Sequence, residues 1–177
     1  MRIKPWSPEA APRDPKLVEA ILARRGGKLI NLDRALLWSE PLARGWNAYV
    51  GAVRRELAVD PRLKELAICV VARLTGAEYE FRHHWPEYVK AGGRDELRAR
   101  LGEPERAFTD PAFTPDERVA MRYAAAMTRD VRVSSELFAE LRVILDETGV
   151  VELTAAIATY NMVARILVAL EVANDEP

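Results

Sequence analysis

Seven consecutive residues, Leu-Ala-Ile-Cys-Val-Val-Ala at positions 66–72, carry no polar side chain apart from one thiol. Charged residues close the run at both ends, Glu65 and Arg73. A helix made of such a run is apolar all round and has to be covered on every side. A chain that holds one must place it at the centre of several other elements. Residues 153–170 are nearly as apolar. They are the second candidate for the middle of a bundle, or for an oligomer interface.

The punctuation of the rest of the chain is helical too. Asp14-Pro15 and Asp60-Pro61 each pair an N-cap with proline at the first helical position, and Gly26-Gly27 supplies a stop. Asn31 caps a short helix reaching Trp38. Ser39-Glu40-Pro41 opens another, running to Leu57 with Trp46 and Tyr49 inside it. Thr114-Pro115-Asp116-Glu117 reads as a capping box. Ser134 or Ser135 starts a further helix that Gly149 ends, and the last helix covers Val151 to Glu171. Pro86 lies within a helical stretch and predicts a kink. No run of strand length alternates between apolar and polar; Val131-Arg132-Val133 is the one β-like fragment. Residues 102–113, with prolines and acids, read as a surface loop or hinge. The tail from Ala173 to Pro177 is expected to fray. The fold class is therefore all-α, a helical bundle. It forms a single domain over 1–177, with an N-terminal helical extension (1–57), core helices (58–101) and C-terminal helices (114–172).

Charge and cysteine content exclude several classes of function. The 26 basic and 27 acidic residues sum to −1 and form no basic stripe. Neither nucleic acid nor a membrane surface is expected as a partner. The uncharged stretch Leu153–Ala164 is bounded by Glu152 and Arg165. It is shorter than the roughly 18 residues a spanning segment needs. A single cysteine, Cys69, allows neither an internal disulfide nor a two-cysteine redox motif. The expected location is cytoplasmic. With His83 and His84 as the sole histidines, no metal or other cofactor is expected.

The residues with chemistry lie between Glu65 and His84. Gly76 breaks or bends the chain, and on the helix after it Ala77, Glu80, Phe81, His84 and Tyr88 share one face by three- and four-residue spacing. Glu80 and His84, four apart, place a carboxylate beside an imidazole. On a buried face such a pair serves general acid–base chemistry near neutral pH. On a surface it is an ordinary helical pair worth roughly 0.3–0.5 kcal/mol. Glu65, in the first turn or so after Pro61, also fits a helix-dipole role. His83 points away from His84 and reads as surface, spaced for Tyr79 and Glu87. Cys69 reads as a small core hydrophobe.

The stretch Leu63–Gly92 resembles the carboxymuconolactone decarboxylase family, whose superfamily includes the alkyl-hydroperoxidase D proteins. It carries Glu65, Gly76, Glu80 and His84 in that order. Longer members of the family are similar in the N-terminal segments Asn31-Leu-Asp-Arg-Ala-Leu and Pro41-Leu-Ala-Arg-Gly-Trp-Asn-Ala-Tyr. The closing helix, with Val151-Glu-Leu and Ala158-Thr-Tyr-Asn-Met-Val-Ala-Arg165, is similar as well. The hydroperoxidase pattern is a Glu, then Cys-x-x-Cys with His between the cysteines, then a further His. Here Glu65 and His84 match the outer positions. Ala77 and Glu80 stand at the two cysteine positions, and Tyr79 stands at the inner His. A dithiol peroxidase needs an attacking and a resolving thiol. Neither is present at the motif.

The resemblance implies an alkyl-hydroperoxidase D-like helical bundle and homo-oligomers, as dimer, trimer or hexamer. It also implies cofactor-free acid–base catalysis by Glu65, Glu80 and His84 on a small carboxylated, lactone-type molecule, in the manner of a decarboxylase. In that scheme His84 donates the proton, Glu80 orients and tunes it, and Glu65 shares the proton network. Arg73 and Arg165, near the buried helices, are the candidates for holding the substrate carboxylate. Two other readings stand beside it: a peroxidase-related role centred on Cys69, and a non-catalytic helical ligand-binding protein.

Overall fold

The computed structural model describes residues 1–11 and 13–175, and every regular element among them is a helix. Nine are α-helical: α1 (Pro15–Arg25), α2 (Asn31–Leu36), α3 (Glu40–Arg55), α4 (Pro61–Thr75), α5 (Glu78–Lys90), α6 (Pro104–Ala107), α7 (Pro115–Arg129), α8 (Ser135–Ile144) and α9 (Glu147–Ala169). A 3-10 segment, Asp95–Gly102, precedes α6. The fold is an all-α bundle.

The expected caps at Asp14, Asp60 and Thr114 are in place. The side chains of Asp14 and Asp60 accept from the backbone N–H groups of Lys16 and Arg62, at 3.0 and 2.8 Å. Thr114 and Glu117 close a reciprocal capping box at the start of α7, at 3.2 and 2.8 Å. Each satisfies a backbone donor that the first helical turn leaves open, a contribution of about 1 kcal/mol. Gly76, at φ 71°, ends α4 in the left-handed region that favours glycine.

Four expectations need correction. α8 stops at Ile144 and α9 already begins at Glu147, so Gly149 lies inside a helix rather than ending one. Asp146 takes over the capping, accepting from Gly149 N–H at 2.8 Å. The region read as a loop between 102 and 113 contains α6. Asn31, expected to cap the short second helix, is its first helical residue, and Ile30 takes the N-cap position. The tail is tied down as far as it is described: Asn31 donates to Asp175 Oδ1 at 2.6 Å and to the carbonyls of Ala173 and Asn174. Residues 176 and 177 lie outside the described residues.

The chain divides into two compact units. The first is Met1–Glu56 together with the residues from Ala169 onward, and the second is Leu57–Val168. In the first, Trp6, Ile21, Leu36 and Trp46 are buried around α1–α3. Asp33 is buried there with Arg24 and Arg25.

In the second unit α4 packs against α5 and α7. Every residue from Leu66 to Val71 is fully buried, as an all-round apolar helix requires. Burial of each large aliphatic side chain in this run stabilises by about 1.5–3 kcal/mol. Polar cross-links fix the neighbours. Tyr88 donates to Glu117 on α7 at 2.9 Å. Asn161 on α9 donates to Thr128 on α7 at 3.0 Å. α9 is long and apolar enough to cross a membrane by length and composition alone. Half of its most apolar window is buried inside the protein, with Leu153, Ile157, Tyr160 and Ala164 in the core.

Candidate functional site

α4 and α5 are joined by Gly76 and Ala77 alone, so they form an antiparallel helical hairpin. On α4, Glu65, Cys69 and Arg73 follow one another at four-residue steps. On α5, Glu80 and His84 do the same. The hairpin sets these two stripes face to face. Glu65 meets His84 at the deep end, Cys69 and Glu80 share the middle, and Arg73 meets Glu78 near the turn.

At the deep end His84 Nδ1 lies 2.6 Å from Glu65 Oε2, and both side chains are buried. An ionised carboxylate only accepts, so it holds the proton on Nδ1. The ring also makes an edge contact with Tyr160 on α9, at 4.5 Å between centroids. Lys64 Nζ stands 3.7 Å from Glu65 Oε1, a buried cation beside the same carboxylate.

This corrects the expected pairing. Four-residue spacing puts Glu80 on the His84 face, but the imidazole bonds to Glu65, which is nineteen residues away. Glu80 is 2 % exposed, and among the described residues neither carboxyl oxygen has a hydrogen-bond partner. Burial pushes its carboxyl well above the ordinary carboxylate range. A buried acid without a partner holds its proton, because the charged form would have nothing to replace lost water.

Cys69 is 0 % exposed. Burial first, then the charge of Glu65, push its thiol well above the usual range; Arg73 and Arg98 pull the other way. A thiol so held is protonated and shielded, the reverse of a nucleophile. Ala77, at one cysteine position of the hydroperoxidase pattern, is the N-cap of α5. A helix start is where a thiol would be activated. The substitution removes the nucleophile from that place.

The remaining expected residues separate. The Arg73 guanidinium lies 3.5 Å from the Phe81 ring centroid, and its Nη1 donates to Glu78 at 3.2 Å. Arg165 is exposed, and its Nη1 bonds to the carbonyl and side chain of Asn161 one turn back on its own helix. Nothing in these contacts brings it to the hairpin site. His83 is half-buried rather than on the surface, stacked on Tyr79 with Nδ1 2.8 Å from the Tyr79 carbonyl. Among the described residues no group of three or more His, Cys, Asp or Glu is arranged to hold a metal ion. Sequence reasoning missed Arg98, which reaches to 5.7 Å from the same Phe81 ring. It comes from the 3-10 segment, and no local pattern links it to α5.

Residues 40–126 match the model of the carboxymuconolactone decarboxylase family. The matched region holds Glu65, Glu80, His84, Arg73 and Arg98. Among solved structures, the chain is similar to an uncharacterized peroxidase-related protein from Silicibacter sp. TM1040. Identity is 19 %, the match covers 97 % of this chain and 94 % of that one, and the TM-score is 0.75. It is similar also to the debrominase Bmp8 in complex with 2,3,4-tribromopyrrole, with 18 % identity, coverage of 99 % and 92 %, and a TM-score of 0.77. A third is a protein of unknown function from Agrobacterium tumefaciens, provisionally named as antioxidant defence protein AhpD. It has 18 % identity, coverage of 76 % and 90 %, and a TM-score of 0.67. These likenesses establish the alkyl-hydroperoxidase D-like fold. No functionally curated protein matches the chain.

Proposed function

We propose that this protein is a cofactor-free acid–base enzyme acting on a small carboxylated substrate of the lactone type, from which it releases carbon dioxide. One observation carries the reading. A buried histidine held at 2.6 Å by one glutamate stands on the same helix face as a second glutamate that is buried, neutral and without a partner. Such environments push two carboxyl groups toward different protonation states and so toward different roles.

Loss of carbon dioxide next to a conjugated lactone breaks one carbon–carbon bond. Its electron pair moves onto the lactone carbonyl as an enolate. Neutral Glu80 can donate a hydrogen bond to that developing charge without a preceding ionisation. Glu65 fixes the His84 ring, and in the imidazolium form His84 delivers a proton to carbon. The proton returns to His84 from water, so the net change is carbon dioxide for a proton. The family match supports the class of chemistry, and the missing thiols at positions 77 and 80 favour it over dithiol peroxide reduction.

The test is turnover of 4-carboxymuconolactone, followed as released carbon dioxide, in wild type, His84→Ala and Glu80→Gln. Each variant is expected to lose about 100-fold or more in kcat, the usual worth of a positioned acid or base. No release by folded wild type, or unchanged kcat in both variants, rejects the proposal.

A further inference from the structure

We propose that Arg73 and Arg98, gathered on the Phe81 ring, are the guanidinium pair that anchors a carboxylate of the substrate at the turn end of the α4–α5 hairpin. This rests on the acid–base reading above and names the group that would hold its substrate.

The Arg73 guanidinium lies 3.5 Å from the Phe81 centroid. Stacking on a ring leaves the guanidinium edges free to make paired hydrogen bonds to a planar carboxylate. Its Nε is buried and has no hydrogen-bond partner. The Nη1 bond to Glu78 is a weak competitor, because the Glu78 side chain is 51 % exposed and is shared with Arg82 at 3.4 Å. Arg98 approaches the same ring at 5.7 Å and has no carboxylate partner among the described residues. Glu78 is thus the one exposed carboxylate shared by Arg73 and Arg82, while Arg98 adds a further guanidinium beside Phe81.

This excess of positive charge is coupled to the reacting end of the hairpin. Arg73 and Arg98 both act electrostatically on Cys69. Along the hairpin, polarity therefore runs from open cations at the turn, through a neutral acid, to the enclosed Glu65–His84 pair. A carboxylate held by guanidinium is stabilised as an anion and does not leave as carbon dioxide. The anchored carboxylate is therefore a different one from the group released, and it points the releasing end toward Glu80 and His84.

The experiment is calorimetric titration of the full chain with glutarate, with glutaramide as the uncharged match of the same length. Wild type is expected to bind glutarate saturably and to bind glutaramide at least ~10-fold more weakly. Arg73→Gln and Arg98→Gln should each weaken glutarate at least ~10-fold, while Arg165→Gln, at an exposed residue bonded within its own helix, stays within ~3-fold of wild type. Arg98 is exposed, so its variant tests the proposal without threatening the fold. Absence of saturable glutarate binding, equal affinity for glutaramide, or wild-type affinity in both arginine variants overturns the proposal. Arginine-dependent binding with no turnover of the lactone keeps the anchor and rejects the acid–base reading. Turnover with no dependence on either arginine does the opposite.

Discussion

Asp33 and Glu80 are two carboxyl groups buried to the same degree, each 2 % exposed, in different units of the chain. Their surroundings differ completely. Asp33 accepts from Arg25 Nε at 2.9 Å, from Arg24 Nη2 at 3.1 Å and from the Ile30 backbone N–H at 3.3 Å. Arg24 is in turn held by Asn47 at 2.6 Å. Glu80 has no hydrogen-bond partner on either oxygen. Burial alone therefore does not mark a functional acid. The informative feature is burial without satisfaction: the first carboxyl stabilises a fold, and the second is kept neutral and available to something not of the chain.

The largest expected effect comes from breaking the satisfied site. Asp33→Ala leaves two guanidinium groups, with side chains 8 % and 13 % exposed, beside no carboxylate. Removing one partner of a buried pair costs about 3–5 kcal/mol, because the remaining charge stays desolvated. Burial already lowers the Arg24 pKa even with Asp33 in place. Urea unfolding followed by the fluorescence of Trp6 and Trp46, both buried in this unit, measures the loss. A change below about 1 kcal/mol, the range of exposed pairs, would remove the contrast with Glu80.

The second effect has the opposite sign. Burial raises the Glu80 pKa in the folded chain above its ordinary value of 4.5. Below that value both folded and unfolded chains hold the proton. As pH rises from there toward the folded value, the unfolded chain releases its proton and the folded chain keeps it. Wild-type stability then falls by up to about 1.4 kcal/mol per pH unit. Glu80→Gln does not titrate and loses nothing in that window. Its advantage over wild type, read as urea midpoints, is expected to grow as pH rises above 4.5, while its turnover falls. A stability gain paired with lost activity is the signature of a group kept for function. A variant whose stability tracks wild type at every pH would mean that Glu80 is ionised and paired.

Much of this was legible in the chain itself, and what was missed has a physical reason. Helix starts at Pro15, Pro61 and Pro115 could be read because a cap and its helix are neighbours in sequence. The central place of residues 66–72 could be read because an all-apolar helix has no other home. Glu65, Glu80 and His84 came forward through their spacing and then through the resemblance. The partner of His84 did not: the contact spans nineteen residues across a hairpin, whereas the i,i+4 rule sees only one helix. Asp33 was passed over for the same reason. Its arginines lie on α1, and no local pattern announces that they meet it.

The smallest effect concerns Cys69, which lies between the two acids of the hairpin in sequence and in charge. The thiol is fully enclosed and held protonated by burial and by the nearby Glu65 carboxylate. If it served a redox role, it would need exposure and a lowered pKa, and it has the reverse of both. Cys69→Ala removes one buried sulfur, so a loss of about 1 kcal/mol is expected, on the scale of a single buried methylene group. Turnover should stay within about twofold of wild type, a rate change worth less than half a kcal/mol. In the native wild-type protein a thiol reagent should label this residue only at the rate of unfolding, and rapidly once urea is added. Fast labelling under native conditions, or turnover lost with the sulfur, would instead make the thiol the reacting group. Glu80, the unsatisfied acid beside it, would then serve as that thiol's proton partner rather than the substrate's.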